Sequence, residues 1–240
     1  MAPNLVLLHG FTNTGASWDE VVAGLPERYR PLAPDIRGHG AASAVRPVSL
    51  AAVTDDISQL APDPFELVGY SMGGRIALHL ALALTGRVRR LVLIGASPGI
   101  AVPAARMERR AADERLAATV EEKTIESFAE RWAQTAVLAD QPPAVQASVH
   151  ADRLRNTPAG LAEALRGLGT GALPSLWGRL GQLTMPVDLV VGERDLKFRT
   201  IAEEMAGGLP RASLHAVSDA GHAVHLEAPD AVAEVISAGA

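Results

Sequence analysis

Six short stretches of this chain read as strands, several of them apolar from end to end: 4–9 (NLVLLH), 30–35 (RPLAPD), 65–70 (FELVGY), 89–95 (RRLVLIG), 186–192 (PVDLVVG) and 212–217 (ASLHAV). A strand with one face in water alternates apolar and polar residues, whereas a strand covered on both faces does not. Cover on both faces needs a layer above and a layer below. The intervening stretches supply them, with helical patterns starting near Trp18, Ser49, Ser71, Arg199 and Pro229. This alternation predicts a mostly parallel α/β sheet flanked by helices on both sides.

The strand signal stops between about residues 99 and 183. That segment is rich in Ala, Arg, Glu and Leu at helical spacing, with breaks at 141–143 (QPP), 156–158 (NTP) and 167–174 (GLGTGALP). It reads as a helical cap inserted over one end of the sheet. The core is then 1–98 plus 184–240 and the cap 99–183, a division that 240 residues accommodate. A formal net charge of -5 argues against a nucleic-acid partner, and a small anionic substrate would need locally placed arginines. There is no cysteine, which excludes disulfides, a thiol nucleophile and cysteine-ligated zinc. The opening MAPNLVLLHG lacks the basic and apolar regions of a signal peptide, and no apolar run approaches a membrane span. The expectation is a cytoplasmic monomer or small homo-oligomer with no membrane partner.

Residues 69–73 (GYSMG) fit G-x-S-x-G, placed between a predicted strand and a predicted helix as that motif requires. Gly69 and Gly73 permit a tight turn that presents the Ser71 hydroxyl at the head of a helix. A nucleophilic or basic serine needs a histidine, and the histidine needs an orienting acid. Asp195 follows the fifth strand in VVGERDLKF, and His222 lies past the last strand in SDAGHAVHLEAP. Glu193 and Asp219 compete for the acid and His225 for the base; all three read better as solvated loop residues or packing partners. Two backbone amides are needed to hold developing oxyanion charge. One belongs to Met72, directly after the serine, and the other to Phe11 in the loop HGFTNTG. His9 reads as a packing or structural residue, and DIRGHG (35–40) as a tight glycine turn.

With HGF, DIRGHG, GYSMGG, GERD and AGH in this order, the chain resembles the α/β-hydrolase fold family along its whole length. Members commonly begin with two further strands. Here the HG loop already starts at residue 9, so a sheet of about six strands lacking the usual first two is expected.

A triad alone does not fix a reaction. Arg75 stands four positions after Ser71 on the same helix, and Arg106, Arg109 and Arg110 open the cap. Arginines from both parts of the chain would suit a polycarboxylate. GYSMGGR, SPG with the arginine-rich stretch after it, FAERW, LRGLGTGALPSLW and above all GERDLKF resemble the 2-succinyl-6-hydroxy-2,4-cyclohexadiene-1-carboxylate synthases of menaquinone biosynthesis. That resemblance implies a lyase acting on a cyclohexene that carries an enolpyruvyl ether, a succinyl chain and a ring carboxylate. Pyruvate is expelled and neither metal nor organic cofactor is used. It also implies Ser71, His222 and Asp195 as the base apparatus, and Phe11 and Met72 as oxyanion donors. Arg75, Arg109 and Trp132 then bind and wall the substrate, with Tyr70 beside the serine. The alternatives are a carboxylesterase working through an acyl-serine and a non-catalytic ligand-binding member.

Overall fold

A computed structural model describes residues 3–135, 138 and 141–239. Its six strands are β1 (Asn4–Leu8), β2 (Arg30–Leu32), β3 (Phe65–Tyr70), β4 (Val88–Ile94), β5 (Val187–Gly192) and β6 (Ala212–Val217). They form one sheet in the order β2-β1-β3-β4-β5-β6, and every neighbouring pair is parallel. All six predicted strands are present, and the third and sixth match to the residue. β2 is shorter than its predicted 30–35. It is an edge strand, and Pro31 and Pro34 cannot donate to a ladder. Beyond Leu32 the chain turns instead to Asp35, whose carboxylate accepts from the Gly15 and Ala41 amides at 2.7 Å each.

The helices are α1 (Asp19–Ala23), α2 (Leu50–Leu60), α3 (Met72–Ala83), α4 (Pro103–Glu121), α5 (Ile125–Ala133), α6 (Pro143–Arg153), α7 (Pro158–Leu168), α8 (Leu196–Gly208), α9 (Val224–Glu227) and α10 (Pro229–Ala238). α8 starts three residues before the predicted Arg199, because the Asp195 carboxylate accepts from the Phe198 amide and caps the helix there.

The period of two along each strand divides the core into two layers. Val6 and Leu8 of β1 and Leu67 of β3 pack with Ile57 of α2, Ile76 and Leu80 of α3 and Met205 of α8. Leu5 and Leu7 of β1 and Val68 of β3 pack on the other face with Trp18, Val21 of α1, and Val232 and Ile236 of α10. Each fully buried aliphatic side chain stabilises the fold by about 1.5–3 kcal/mol. At the N-terminal ends of the strands Arg90 bonds Asp188 at 2.8 Å and the carbonyls of Val235 and Ile236 at 2.7 and 2.6 Å, which satisfies the end of α10.

Between β4 and β5 lie α4 to α7 and a 3-10 helix, Trp177–Gln182, with no strand among the described residues of 99–183. These helices carry a small apolar centre of their own, Ala117, Val120, Phe128, Leu161, Ala162 and Leu165, against which Phe11 also packs. Hydrogen bonds tie the segment to the strand-end loops in two places. Near the chain crossing, the Leu176 amide donates to the Pro98 carbonyl at 2.7 Å, beside a bond within the segment from Trp177 Nε1 to the Gly99 carbonyl at 3.0 Å. At the far corner, buried Asp152 accepts from the Thr14 amide at 2.9 Å, from the Thr14 hydroxyl, and from Asn13 Nδ2 at 3.3 Å. Asn156 there donates to the Thr12 carbonyl and accepts from the Gly40 amide, at 2.9 and 3.0 Å. Among the described residues no helix is long and apolar enough to cross a membrane.

Candidate active site

Ser71 is the single residue between the end of β3 and the start of α3. Its backbone sits at φ 50°, ψ −106°, a conformation that L-residues avoid and that costs about 1–3 kcal/mol. The turn is held from both sides. The Ser71 amide donates to the Ile94 carbonyl at 2.9 Å. Gly73 lets α3 approach β1 so closely that a Cβ there would lie 2.1 Å from the Leu8 carbonyl oxygen, and a Cβ on Gly69 would lie 2.6 Å from that of Gly73.

The turn aims the serine at His222. Its Nε2 lies 3.2 Å from Ser71 Oγ, and its Nδ1 lies 2.6 Å from Asp195 Oδ2. The two carboxylate oxygens divide the work, since Oδ1 caps α8 while Oδ2 holds the imidazole. Both side chains are buried, so the pair is shielded from competing water. The competitors are placed differently. Glu193 and Asp219 are exposed. His225 is fully buried, has no hydrogen-bond partner on either ring nitrogen, and packs against Trp18 and Tyr70 at centroid distances of 4.7 and 4.2 Å. Burial first, then the neighbouring His222 and His9, pull it down to about 3, so it is a neutral packing group at pH 7.

In front of the serine is a cavity of about 400 Å³, bordered by Phe11, Ser71, Met72 and His222 from the sheet side and by Arg109, Trp132 and Leu165 from the inserted helices. Arg75 and Lys197 also line it. Arg75 has its Nε buried without a partner. Burial, and next the positive Arg109, pull its pKa down to about 10, with Asp113 opposing. Arg109 is anchored by Asp113, which accepts from its Nε at 2.7 Å and from the Gly171 amide at 3.1 Å. Of the other arginines that open the insertion, Arg106 is half-buried and Arg110 exposed, and neither borders the cavity. Trp132 sits edge-on to Phe11 and stacks on Phe128, at 5.2 and 5.7 Å between centroids.

Tyr70 faces a smaller adjoining space of about 60 Å³ that shares Ser71 and His222 with the larger one. Burial pushes its phenol well above the ordinary value. Arg153 opens onto the same space. It is 2% exposed, its Nε has no partner, and burial lowers its basicity. Nothing in the sequence reading singled it out. It follows no strand and sits at the end of a helix whose approach to Ser71 depends on Asp152 and Asn156 gripping the 12–14 loop. The neighbouring polar pattern DRLRN (152–156) is the one sequence signal that bore on it.

Phe11 and Met72 both border the cavity at the serine, and among the described residues no protein group accepts from the backbone N–H of either. The arrangement as a whole is an imidazole held by a carboxylate, a hydroxyl in reach of it, two amides with no acceptor among the described residues, and two arginines, Arg75 and Arg153, each with a buried Nε that has no partner. Residues 5–235 match the alpha/beta hydrolase family.

The chain belongs to that family.

It is an enzyme of the α/β-hydrolase fold, and it resembles one group of members along its whole length. A Bacillus subtilis (strain 168) relative, provisionally named a 2-succinyl-6-hydroxy-2,4-cyclohexadiene-1-carboxylate synthase, is 35% identical over 97% of this chain and 88% of its own. A synthase of the same name from Klebsiella pneumoniae is 33% identical over 96% of this chain and 90% of its own. The solved structure of MenH from S. aureus superposes with a TM-score of 0.92 at 30% identity, covering 98% of this chain and 92% of that one.

Proposed function

We propose that this enzyme is a carbon–oxygen lyase that expels pyruvate from an enolpyruvyl cyclohexene carboxylate to give 2-succinyl-6-hydroxy-2,4-cyclohexadiene-1-carboxylate. The observation that carries this reading is the set of cations around the triad, two of which, Arg75 and Arg153, have a buried Nε without a partner. Arg75, Arg109 and Lys197 line the main cavity, and Arg153 lines the adjoining one. A guanidinium buried without a carboxylate opposes folding and is matched when an anion arrives. A neutral ester leaves these groups unmatched, whereas a substrate with several carboxylates satisfies them. The similarity to the named synthases supports the same reading.

The chemistry follows from the geometry. His222 Nε2 takes the Ser71 proton, and Ser71 Oγ removes the proton next to the succinyl carbonyl. The Phe11 and Met72 amides stabilise the resulting enolate oxygen. The enolate electrons pass through the ring and break the bond to the enolpyruvyl oxygen. The departing enolpyruvate takes the proton that His222 holds and becomes pyruvate, which returns the imidazole to its neutral form. Asp195 keeps the imidazole in the right tautomer and balances its charge while it holds the proton. No acyl-enzyme forms. In this reading residues 99–183 act as a cap that contributes Arg109, Trp132 and Arg153 to a site otherwise built on the strand ends.

The test is pyruvate release from the enolpyruvyl substrate, run beside hydrolysis of a neutral nitrophenyl ester. The lyase reading expects pyruvate release that vanishes in Ser71→Ala. Efficient ester turnover with no pyruvate release would replace it with an acyl-serine esterase.

A further inference from the structure

The amide of Phe11 is half of a peptide unit, and a side chain with no role so far holds the other half. His9 is fully buried at the end of β1. Its Nε2 accepts from the Ile36 amide at 2.9 Å, so that nitrogen carries no proton. In a neutral ring the proton is then on Nδ1, which lies 2.8 Å from the Gly10 carbonyl oxygen and donates to it. Burial favours the neutral ring by lowering its pKa. The Asn13 amide donates to the same oxygen at 3.2 Å.

The Gly10–Phe11 bond is a planar trans peptide, in which the carbonyl and the N–H point in opposite directions. Holding the Gly10 oxygen therefore fixes where the Phe11 N–H points. The oxygen is drawn to His9, so the N–H is turned away from it, and Phe11 itself borders the cavity. A loop peptide free to rotate would need to be reoriented whenever charge develops, and an oxyanion hole works because its donors are set beforehand.

We propose that His9 is a positioning residue: its Nδ1-protonated tautomer, selected by the Ile36 amide, clamps the Gly10 carbonyl and so aims the Phe11 amide at the developing oxyanion. The proposal rests on the oxyanion role of Phe11 and Met72, and it holds for elimination and ester hydrolysis alike.

The side chains that separate the two His9 contacts are Asn and Gln. An Asn amide reaches the Nδ1 position and can keep the bond to Gly10, while a Gln amide reaches the Nε2 position and keeps only Ile36. Wild type, His9→Asn, His9→Gln and His9→Leu are compared in kcat and KM for both pyruvate release and nitrophenyl ester hydrolysis, below the measured melting temperature of each. His9→Gln and His9→Leu are expected to lose on the order of 10- to 100-fold in kcat at nearly constant KM. His9→Asn is expected to recover most of the loss. A purely structural His9 would lower the melting temperature and leave kcat of the folded enzyme unchanged, and that result overturns the proposal. So does an Asn variant as slow as the Leu variant. Should the variants fail to fold, ¹⁵N-histidine NMR of the wild type reads the tautomer directly. A protonated Nδ1 with a bare Nε2 supports the clamp, and a protonated Nε2 overturns it. Loss of pyruvate release with ester turnover intact in the wild type refutes the lyase reading alone, since the same kcat order then tests His9 on the ester. A wild type that turns over neither substrate removes the hole that His9 would serve and overturns both.

Discussion

Replacing Arg75 by Met is expected to make the protein more stable and the enzyme worse. The guanidinium is held in a site where burial and Arg109 pull its pKa from 12.5 to about 10. That drop corresponds to about 3 kcal/mol of unfavourable charging in the folded state. The side chain borders a cavity, so water screens part of this cost, and about 1–3 kcal/mol is the expected gain. Met retains most of the apolar stem, which limits the packing loss. For a chain of this size the gain raises the melting temperature by about 2–4 °C per kcal/mol. Catalysis moves the other way. A charge-assisted hydrogen bond to a substrate carboxylate is worth about 1.5–3 kcal/mol, so kcat/KM for pyruvate release should fall by roughly ten- to a hundredfold. Ester hydrolysis should change by less than about threefold, because a neutral ester has nothing for Arg75 to hold. Added succinate should raise the wild-type melting temperature more than that of the variant, by mass action on the folded state. Thermal unfolding at pH 7 and steady-state kinetics on the two substrates measure all of this. A variant that is less stable and equally fast at pyruvate release would show that Arg75 is a structural cation, and the reasoning from its burial would fail.

Two further outcomes follow from groups outside the cavity. His39 and His225 are fully buried, and each is pulled down to about 3 chiefly by burial, so both stay neutral when folded and take up a proton when unfolded. Their contribution is intact above the unfolded value of 6.5 and is lost as pH falls from there toward 3, at about 1.4 kcal/mol per pH unit for each. Urea midpoints should therefore drop steeply between pH 6.5 and 4.5, and His225→Phe should flatten the slope; an unchanged slope would contradict the burial argument. Gly73→Ala places a methyl 2.1 Å from the Leu8 carbonyl oxygen and 2.5 Å from that of His9, both backbone, so helix α3 must back away. A loss of about 1–3 kcal/mol or more in stability is expected, with kcat falling as the Ser71–His222 contact lengthens.

Much of this molecule was legible because its signals are local. A strand buried on both faces is largely apolar, so the central strands β1, β3, β4 and β5 could be read from short runs, and Gly69 and Gly73 mark the serine turn whatever surrounds it. Asp195 and His222 were legible because strand ends converge on one edge of a parallel sheet. The boundaries that shifted did so where one side chain decides them, as at Asp195, which starts α8 three residues early. Arg153 was not legible, because its helix is held near Ser71 by contacts remote in sequence, among them Asp152 on Thr14, 138 residues away, and Asn156 on Thr12. The idle appearance of His9 had a related cause. Its work is done on a carbonyl, and no sequence pattern records which way a peptide faces.

The attachments of the inserted helices are unequal in kind. At Pro98 and at the 152–156 corner they are hydrogen bonds, which are directional and fail within a few tenths of an ångström. Helix α5 is different: among the described residues no hydrogen bond joins it to the sheet or its loops, and it meets Phe11 through the edges of Trp132 and Phe128, at 79° and 72° between ring planes. Ring edges slide over one another at little cost while contact is kept. The chamber above Ser71 thus has two stiff walls and one slip joint. A bulkier ligand there would make room by shearing α5 along Phe11, leaving the 9–15 loop, and the Ser71–His222–Asp195 contacts beside it, undisturbed.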